Sequence, residues 1–421
     1  MAALQPMWLR KEEVPTLPDG WKAMQTSEVT VQLKPGKLFE KRTVTETGLV
    51  PVLSQGESGF IGYHDETPGV AASPNIPVVT FANHTCAMRL MKRPFSCIQN
   101  IFPKIGREDV CDTLYFYYAA LGRVTISDYK GHHPLFRQTY IPVPPLSTQW
   151  KIAVILSAYD DLIENNLRRI KILEEMAQNL YREWFVKFRF PGHQHARFTD
   201  SPLERIPEGW GVASISDVAI ICRGRSYKGT ELAQEGGRPF VNLKCIERDG
   251  GFRSSGLKRY TGPFKDTHTV RAGEMVMAIT DMTQERRIVA RVGRVSRLDA
   301  DFGVISMDLV RVASRGSLSE IYLYAMLRWS GFADEVKQHA NGVNVLHLLP
   351  DRIEEYRFVC PTSGIAAGFG EVALPMLSLC DSLEQRNATL HRTRDLLLPR
   401  LISGEVDVSE LEIAVPEEAE A

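Results

Sequence analysis

This chain of 421 residues has no closely spaced pair of cysteines, no long apolar run and almost no net charge. The seven cysteines are scattered, so neither a zinc site nor a disulfide framework is predicted, and the thiols are expected to be reduced. No stretch of about 18 or more apolar residues stands out. Residues 1–21 lack the apolar segment of a secretory signal. We therefore expect neither a membrane span nor secretion.

The common catalytic motifs are also missing. A Walker loop is absent. VPPL (143–146) lacks the polar first and aromatic last residues of an adenine-methyltransferase loop, so a linker that stops a helix is the better interpretation. GESG (56–59) does not have the spacing of a nucleophile elbow and fits a tight turn. EVK (335–337) has no acidic partner motif of a nuclease. HH (132–133) favours a polar loop over a metal pair, since adjacent side chains point apart.

Charge is balanced overall but uneven along the chain. The formal net charge of −1 gives no whole-molecule argument for nucleic acid, yet it does not exclude a local basic face. Basic stretches are RGRSYKG (223–229), LKRY (257–260) and RRIVARVGRVSR (286–297). The tail, residues 405–421, is acidic and is expected to fray.

The sequence contains an internal repeat. LPDGW (17–21) recurs as IPEGW (206–210), and in both copies a serine, an acid and a valine follow six to eight residues after the tryptophan. Two further pairs follow in the same order, TLYFYYAALGR (113–123) with SEIYLYAMLRW (319–329), both expected to be helical, and YIPVPPLS (140–147) with RFVCPTSG (357–364). The copies differ by insertions in their middles, so we predict one scaffold that carries two different surfaces. The two repeated tryptophans are expected to anchor packing.

Each copy ends in a long helix with a heptad pattern. The apolar positions of the first helix (151–185) alternate in steps of four and three, which is typical of a coiled coil, and comprise Ile152, Leu156, Tyr159, Ile163, Asn166, Ile170, Leu173, Ala177, Leu180 and Trp184. A weaker seam in the second helix comprises Ala373, Met376, Cys380, Leu383, Asn387, Leu390, Arg394, Leu397 and Leu401, and Pro399 is expected to end or bend it. Because Asn166 and Asn387 hold matching positions, we hypothesise that the helices pack antiparallel with these two side chains facing each other and fixing the register.

Together these features resemble the specificity subunit of a type I restriction-modification enzyme. The resemblance covers nearly the whole chain and rests on the repeated openings, on IPVPPLSTQWKIAVILSAYDDLIENN (141–166), on LEEMAQNLYREWFVKFRFPG (173–192) and on LLLPRLISGEV (396–406). It implies an α+β fold in which two globular mixed α/β target-recognition domains are separated by two long helices, packed as an antiparallel coiled coil with a pseudo-twofold repeat. The expected divisions are an N-terminal arm (1–20), recognition domain 1 (21–148), spacer helix 1 (149–190), a linker (191–209), recognition domain 2 (210–364), spacer helix 2 (365–404) and the acidic tail (405–421).

The resemblance also implies a function. The chain would be a non-catalytic, cytoplasmic prokaryotic subunit that reads a bipartite, asymmetric DNA target. It would dock two modification subunits, which bind S-adenosylmethionine and methylate adenine at N6, and restriction subunits, which use ATP and Mg²⁺ to translocate and cut DNA. The alternatives are a recognition module that serves a related system with a different effector, a stand-alone enzyme, or a coiled-coil scaffold. Salt-sensitive DNA affinity would separate a recognition protein from a scaffold.

DNA-binding candidates follow from residue chemistry, since arginine and lysine bind phosphates while polar side chains read base edges. In the first domain the phosphate candidates are Lys34, Arg42 and Arg89, and the base-reading candidates are Ser54, Gln55, Ser58, Tyr63 and His64. In the second domain the basic cluster is Arg223, Arg225, Lys228, Arg286, Arg287 and Arg291, accompanied by Thr280, Thr283 and Gln284 and by a Gly-containing loop with Asn341 and Asn344. For each basic residue a solvated surface charge is the alternative. Gln284→Ala is expected to change the recognised sequence, whereas Arg291→Ala is expected to weaken binding to all sequences alike.

Overall fold

The computed structural model describes residues 5–56, 59–126 and 131–413. The chain forms two compact units, Met1–Asn165 with Asn387–Ala421, and Asn166–Arg386. Each unit therefore combines a globular part with portions of two long helices. The fold mixes helices and sheets, as the α+β prediction required.

In the first unit, helices and strands alternate before the first long helix. The strands are β1 (Lys22–Gln25), β2 (Thr30–Gln32), β3 (Val50–Leu53), β4 (Phe60–His64), β5 (Val78–Ala82), β6 (Met88–Met91), β7 (Ser96–Cys97), β8 (Ile101–Gly106) and β9 (Tyr140–Val143). The helices are α1 (Thr26–Val29), α2 (Thr113–Ala120), α3 (His133–Gln138) and the long α4 (Leu146–Tyr181), which continues in a π-helical turn at Arg182–Val186.

The second unit has more strands, several of them short. They are β10 (Phe198–Asp200), β11 (Arg205–Pro207), β12 (Gly211–Ser214), β13 (Ala219–Arg223), β14 (Leu232–Ala233), β15 (Arg238–Val241), β16 (Lys258–Tyr260), β17 (Thr269–Val270), β18 (Met275–Ala278), β19 (Thr280–Asp281), β20 (Val292–Arg294), β21 (Gly303–Ile305), β22 (Leu309–Ser314), β23 (Leu346–His347) and β24 (Arg357–Cys360). The helices are α5 (Ile215–Val218), α6 (Glu320–Trp329), α7 (Phe332–Val336), α8 (Pro350–Glu354) and the long α9 (Ser363–Ile402).

The two units share one strand plan, which confirms the repeat. Strands β1 and β9 pair antiparallel, and β12 and β24 pair in the same way. The four-stranded sheet has the order β2-β8-β5-β6 in the first unit and β13-β22-β18-β20 in the second. The smaller sheet β4-β3-β7 corresponds to the middle of β14-β16-β15-β21-β17, because β3 and β15 each have one antiparallel and one parallel neighbour. The extra edge strands β14 and β17 lie in the longer middle of the second copy.

The repeated motif closes a turn and caps a helix. The Trp21 N–H donates to the Pro18 carbonyl at 3.1 Å, and Trp210 repeats this bond to Pro207 at 3.1 Å. The acid of the serine–acid–valine motif caps the helix that follows. The Glu28 carboxylate accepts the Gln25 N–H at 2.6 Å at the start of α1. Its counterpart in the second copy, Asp217, caps α5, so the serine–acid–valine motif folds in the same way in both copies.

Both tryptophans anchor packing, as predicted. Trp21 packs against the main core of the first unit, which includes residues of α2, α4 and the end of α9. Trp210 is buried, and its ring centroid lies 5.3 Å from that of Phe190 and 5.9 Å from that of Phe185. Aromatic clusters of this kind bury large apolar area and fix the approach of the chain to the helix.

The long helices run antiparallel within each unit. In the first unit Asp160 of α4 forms an ion pair with Arg394 of α9, and Ile152 shares a core cluster with Leu401. The second unit shows the same sense, because the Cys380 thiol lies 3.8 Å from the Ile170 carbonyl and farther along the ring centroids of Tyr181 and Phe369 are 6.3 Å apart. Every predicted seam position of both helices is buried or half-buried. Asn166 and Asn387 are both buried, and their mutual pairing stays a prediction.

Helix α9 and the tail differ in detail from the expectations. Pro399 does not end α9, which continues to Ile402, because a proline in the last turn removes only one helical hydrogen bond. Helix α9 is also long and apolar enough to cross a membrane by length and composition. Ala366, Phe369 and Leu377 of this helix lie in the core of the second unit, which explains part of that apolar character. In the tail, Val408 is buried in the first unit rather than frayed.

Candidate nucleic-acid interface

Three loops of the first unit meet around Gln55. This residue follows β3, and its side-chain oxygen accepts the His84 N–H at 3.0 Å in the loop after β5. Its amide nitrogen donates to the Gln99 carbonyl at 3.1 Å, just before β8. His84 and Asn100 are exposed beside it, with Asn100 Nδ2 and His84 Nε2 3.3 Å apart. Gln55 therefore joins the loops, while His84 and Asn100 face solvent.

Arg89 holds the loop after β3 in place through backbone carbonyls. Its guanidinium donates to the Gly56 carbonyl at 2.5 Å and lies 3.4 Å from the Ser54 carbonyl. Burial lowers the pKa of this guanidinium. Because Arg89 is occupied by backbone carbonyls, it positions the loop after β3 instead of presenting a free charge to phosphate.

Three of the predicted base-reading residues are buried and cannot reach a base edge in this structure, which corrects their assignment. Ser54 and His64 are 6 % exposed, and Thr280 is 2 % exposed. His64 Nε2 lies 2.9 Å from the Ser96 hydroxyl, and the ring stacks on Phe39 with centroids 4.1 Å apart. The sequence analysis took these residues as exposed because it placed them in polar loops.

The remaining candidates of the first unit are more accessible. Lys34 and Arg42 are exposed, and Arg42 lies 2.7 Å from Glu40. Tyr63 is half-buried in β4. Ser58 lies outside the described residues.

In the second unit two loops are tied together by the predicted base-reading segment. The segment 280–287 follows β18, and its strand β19 pairs with β23. The Gln284 amide donates to the Val343 carbonyl at 2.8 Å. Arg286 donates to the Gln338 side chain at 2.9 Å. The structure thus brings Gln284 and Arg286 next to the loop that carries Asn341 and Asn344. In the same segment, the Thr283 hydroxyl bonds to Asp281, and Arg287 pairs with Glu285 at 2.5 Å.

Asp281 organises this segment from inside. The side chain is buried, and its two oxygens accept the Thr283 N–H at 2.8 Å and the Ile288 N–H at 2.8 Å. Burial acts to raise the pKa of Asp281, but the N–H donors outweigh it and the pKa lies below its ordinary value. A fixed buried charge therefore holds the loop after β18 in shape, although the sequence analysis did not single it out.

The basic candidates of the second unit differ in availability. Arg223, Lys228 and Arg287 are exposed, while Arg225 is half-buried with Nε 3.5 Å from the Tyr260 hydroxyl. Arg291 is half-buried and forms an ion pair with Asp334 at 2.9 Å. This ion pair competes with phosphate for the Arg291 guanidinium.

A further basic cluster was missed. Lys244, Arg248 and Arg253 are exposed and line a cleft of about 480 Å³ together with Met282 of the base-reading segment. The stretch KCIERDGGFR (244–253) carries a visible signal, since its basic residues flank a double glycine between two strands. Glu247 and Asp249 line the same cleft, and Arg253 pairs with Glu247 at 3.4 Å, so the cleft beside the loop after β18 carries a small excess of positive charge.

The histidine pair does not form a polar loop. His132 is buried against the Asn83 carbonyl, and His133 begins α3 and stacks on Phe102 with ring centroids 3.7 Å apart. Among the described residues, no group of three or more His, Cys, Asp or Glu side chains is arranged to hold a metal ion.

Two units that share one frame but present different polar and basic loops define a duplicated recognition protein. Comparison with known proteins names the class. Residues 18–175 match the family model of the type I restriction modification DNA specificity domain.

Two relatives and one solved structure agree with this match. The MjaIX specificity subunit of Methanocaldococcus jannaschii, a type I restriction enzyme subunit, is 27 % identical over 76 % of this chain and 75 % of its own length. The EcoR124I/EcoR124II specificity subunit of Escherichia coli is 24 % identical over 38 % of this chain and 43 % of its own length. The crystal structure of the type I restriction-modification S subunit from M. genitalium has the same fold, with a TM-score of 0.60, 14 % identity and coverage of 92 % of this chain and 97 % of that one. The resemblance to the specificity subunits of type I restriction-modification enzymes, noted from the sequence, is therefore confirmed.

Proposed function

We propose that this chain selects the DNA target of a type I restriction-modification complex in a prokaryotic cytoplasm, and that its target is bipartite and asymmetric. The supporting observation is the repeat itself: β1–β9 and β12–β24 are paired in the same register, while the loops that they carry differ. A shared scaffold with two unlike polar surfaces suits the recognition of two unlike half-sites.

The long helices suit a split target. Helix α4 has 36 residues and contributes to both units, which corresponds to roughly 54 Å of helix. The family resemblance implies that the two recognition surfaces would contact grooves about one DNA turn apart and ignore the bases between them. Basic side chains would supply salt-sensitive affinity, and polar loop residues would supply specificity.

The chemistry would belong to partner subunits. We propose two modification subunits that bind S-adenosylmethionine and methylate adenine at N6, and restriction subunits that use ATP and Mg²⁺. Helix α4 exposes Leu162, Leu167, Ile172 and Met176, each about half accessible. Apolar side chains exposed along one helix favour a protein-binding role.

The decisive experiment is a map of adenine methylation across the genome of the source cell, with and without this gene. Loss of N6-methyladenine from one split, asymmetric motif is the expected result. An unchanged methylome would reject the proposal in favour of a recognition module with a different effector. S-adenosylmethionine binding or nuclease activity by the purified chain alone would instead indicate a stand-alone enzyme.

A further inference from the structure

The most exposed apolar side chain of the described residues lies next to the predicted base-reading segment. Val343 is 91 % exposed, and Met282 across from it is 67 % exposed. Both occur in loops that the structure ties together, and both adjoin polar and basic residues. A single exposed apolar residue is ordinary at a protein surface, and Val343 becomes informative because its loop has a fixed shape and adjoins polar and basic side chains.

The tip that carries Val343 is a tight hairpin with a fixed shape. Asn341 and His347 exchange two backbone hydrogen bonds, at 3.0 and 2.8 Å. Gly342 between them has φ +151°, and a Cβ there would lie 1.9 Å from the Val345 carbonyl oxygen. Only glycine fits this position, so the backbone of the tip, residues 342–345, has a specific conformation.

Two side chains of the neighbouring segment hold the hairpin in place. Gln284 donates its amide to the Val343 carbonyl, and Arg286 reaches the Gln338 side chain and the Ala340 carbonyl at 2.9 and 3.4 Å. Arg286 itself adopts φ +52°, an uncommon conformation for a residue with a side chain. Because the amide of Gln284 is already engaged, Gln284 is better suited to position the tip than to contact a base.

We propose that the hairpin tip reads A·T base pairs in the major groove, with Val343 contacting the 5-methyl group of a thymine and Asn344 binding an adenine, while Gln284 and Arg286 act as positioning residues. This inference rests on the proposed function and adds the residues and the base type to it.

The chemistry of the tip matches this ligand. In the major groove only thymine presents a methyl group, and an asparagine amide pairs with the N6 and N7 atoms of adenine. Asn344 is exposed and follows Val343 directly. Lys244 and Arg248, which line the cleft beside Met282, would supply positive charge for the phosphates that flank the groove.

The test compares methylomes of cells that carry the complete complex with single variants of this subunit. Val343→Ala and Asn344→Ala are expected to make one or two A·T positions of one half-site degenerate, and to leave the other half-site and the spacer unchanged. Gln284→Ala and Gln284→Glu are both expected to broaden the same positions, because the isosteric glutamate cannot donate to the Val343 carbonyl. Ile220→Ala removes an equally aliphatic side chain, 45 % exposed on β13, and is expected to change nothing. His84→Ala in the first unit is expected to affect only the opposite half-site.

Duplex binding by the purified complex gives the second measurement. Replacing the assigned thymine with deoxyuridine removes one methyl group and should weaken wild-type binding about fourfold. Val343→Ala should show no further loss on that substitution. Asn344→Ala should weaken binding about tenfold or more.

The outcomes are distinct. A motif that disappears on gene deletion but stays unchanged at every position in the Val343 and Asn344 variants overturns the inference alone. A uniform, sequence-blind loss in those variants, with Ile220→Ala normal, also overturns it and indicates a phosphate or protein contact at the tip. An unchanged methylome on gene deletion rejects the proposed function and this inference together.

Discussion

His133 is the residue whose charge state the fold constrains most clearly. Its ring lies flat on Phe102, and its buried Nε2 has no hydrogen-bond partner among the described residues. Burial, together with the positive charges of Lys104 and Arg137, lowers its pKa from 6.5 to about 4. A histidine with a depressed pKa opposes protonation in the folded state. The neutral ring therefore leaves the stability of the folded state unaffected above pH 6.5. As the pH falls from 6.5 to about 4 the unfolded state binds the proton first, and the folded state loses stability.

We therefore predict that His133→Phe reduces the acid sensitivity of folding. Between pH 6.5 and 4 the wild type should lose at most about 3 kcal/mol more unfolding free energy than the variant. Chemical denaturation at several pH values measures this difference. His195→Phe replaces an exposed histidine and should follow the wild-type curve. Parallel curves for all three proteins would contradict the assignment.

At the residue scale the sequence identified types of side chain but not their access to solvent. Gln284 and Arg286 were correctly placed in one segment, yet their partners in 338–343 come from a hairpin more than fifty residues later. His64 looked like a surface residue and is buried, whereas Val343 looked unremarkable and is exposed. Solvent access depends on which loops meet, and local patterns do not contain that information.

At the scale of elements, the two capping boxes form a matched pair. Glu28 accepts the Gln25 N–H, and Asp217 accepts the Ser214 N–H at 2.8 Å. We predict that Glu28→Ala and Asp217→Ala each cost about 1 kcal/mol of stability. Glu28→Gln retains an acceptor oxygen and should cost less than Glu28→Ala. Hydrogen exchange should show faster opening of α1 in the Glu28 variant and of α5 in the Asp217 variant. Faster exchange in the other unit instead would contradict the equivalent capping roles of the two acids.

A second prediction at this scale concerns the attachment of α6 to α4. Arg328 is largely buried, pairs with Glu174 at 2.9 Å and contacts the Tyr324 hydroxyl at 2.6 Å. Removing one partner of a buried ion pair leaves an uncompensated charge, so Arg328→Met should cost about 3 kcal/mol. The double variant Arg328→Met with Glu174→Gln should recover part of that loss. Equal losses in the single and double variants, measured by denaturation, would contradict this coupling.

The elements themselves were largely predictable from the sequence. Helices α2 and α6 fall within the predicted stretches, and α4 begins at Leu146 because Pro144 and Pro145 stop β9 just before it. Helix α9 ends at Ile402, just past Pro399 and close to the predicted end of spacer helix 2 at 404. Short strands such as β14 and β17 have two residues each and no periodicity to detect.

At the scale of the whole molecule the repeat permits an exchange of recognition surfaces. Gln25 lies opposite Tyr140 in the β1–β9 pair, and Ser214 lies opposite Arg357 in the β12–β24 pair. These four positions are equivalent cut points, because each pair closes its globular part in the same antiparallel register. A tyrosine in the first turn of α2 and of α6 makes an equivalent bond in each copy. The Tyr115 hydroxyl donates to the Pro142 carbonyl of β9 at 2.8 Å, and the Tyr322 hydroxyl donates to the Val359 carbonyl of β24 at 3.3 Å. A segment grafted between these cut points would therefore find the same strand pairing and the same tyrosine hydrogen bond at its ends.

We predict that replacing residues 215–356 with residues 26–139 yields a folded chain that directs methylation to a target in which both half-sites carry the sequence read by the first unit. The reverse graft, residues 215–356 in place of 26–139, should give the sequence of the second half-site twice. Methylome mapping of cells that carry each graft reads both results directly, and thermal unfolding of the purified complex verifies folding. A folded graft that keeps the original asymmetric motif would place specificity outside the segments between the cut points. A graft that yields an unrelated sequence would mean that the long helices contribute to the bases selected, since the frame around each recognition surface is the only part left unchanged.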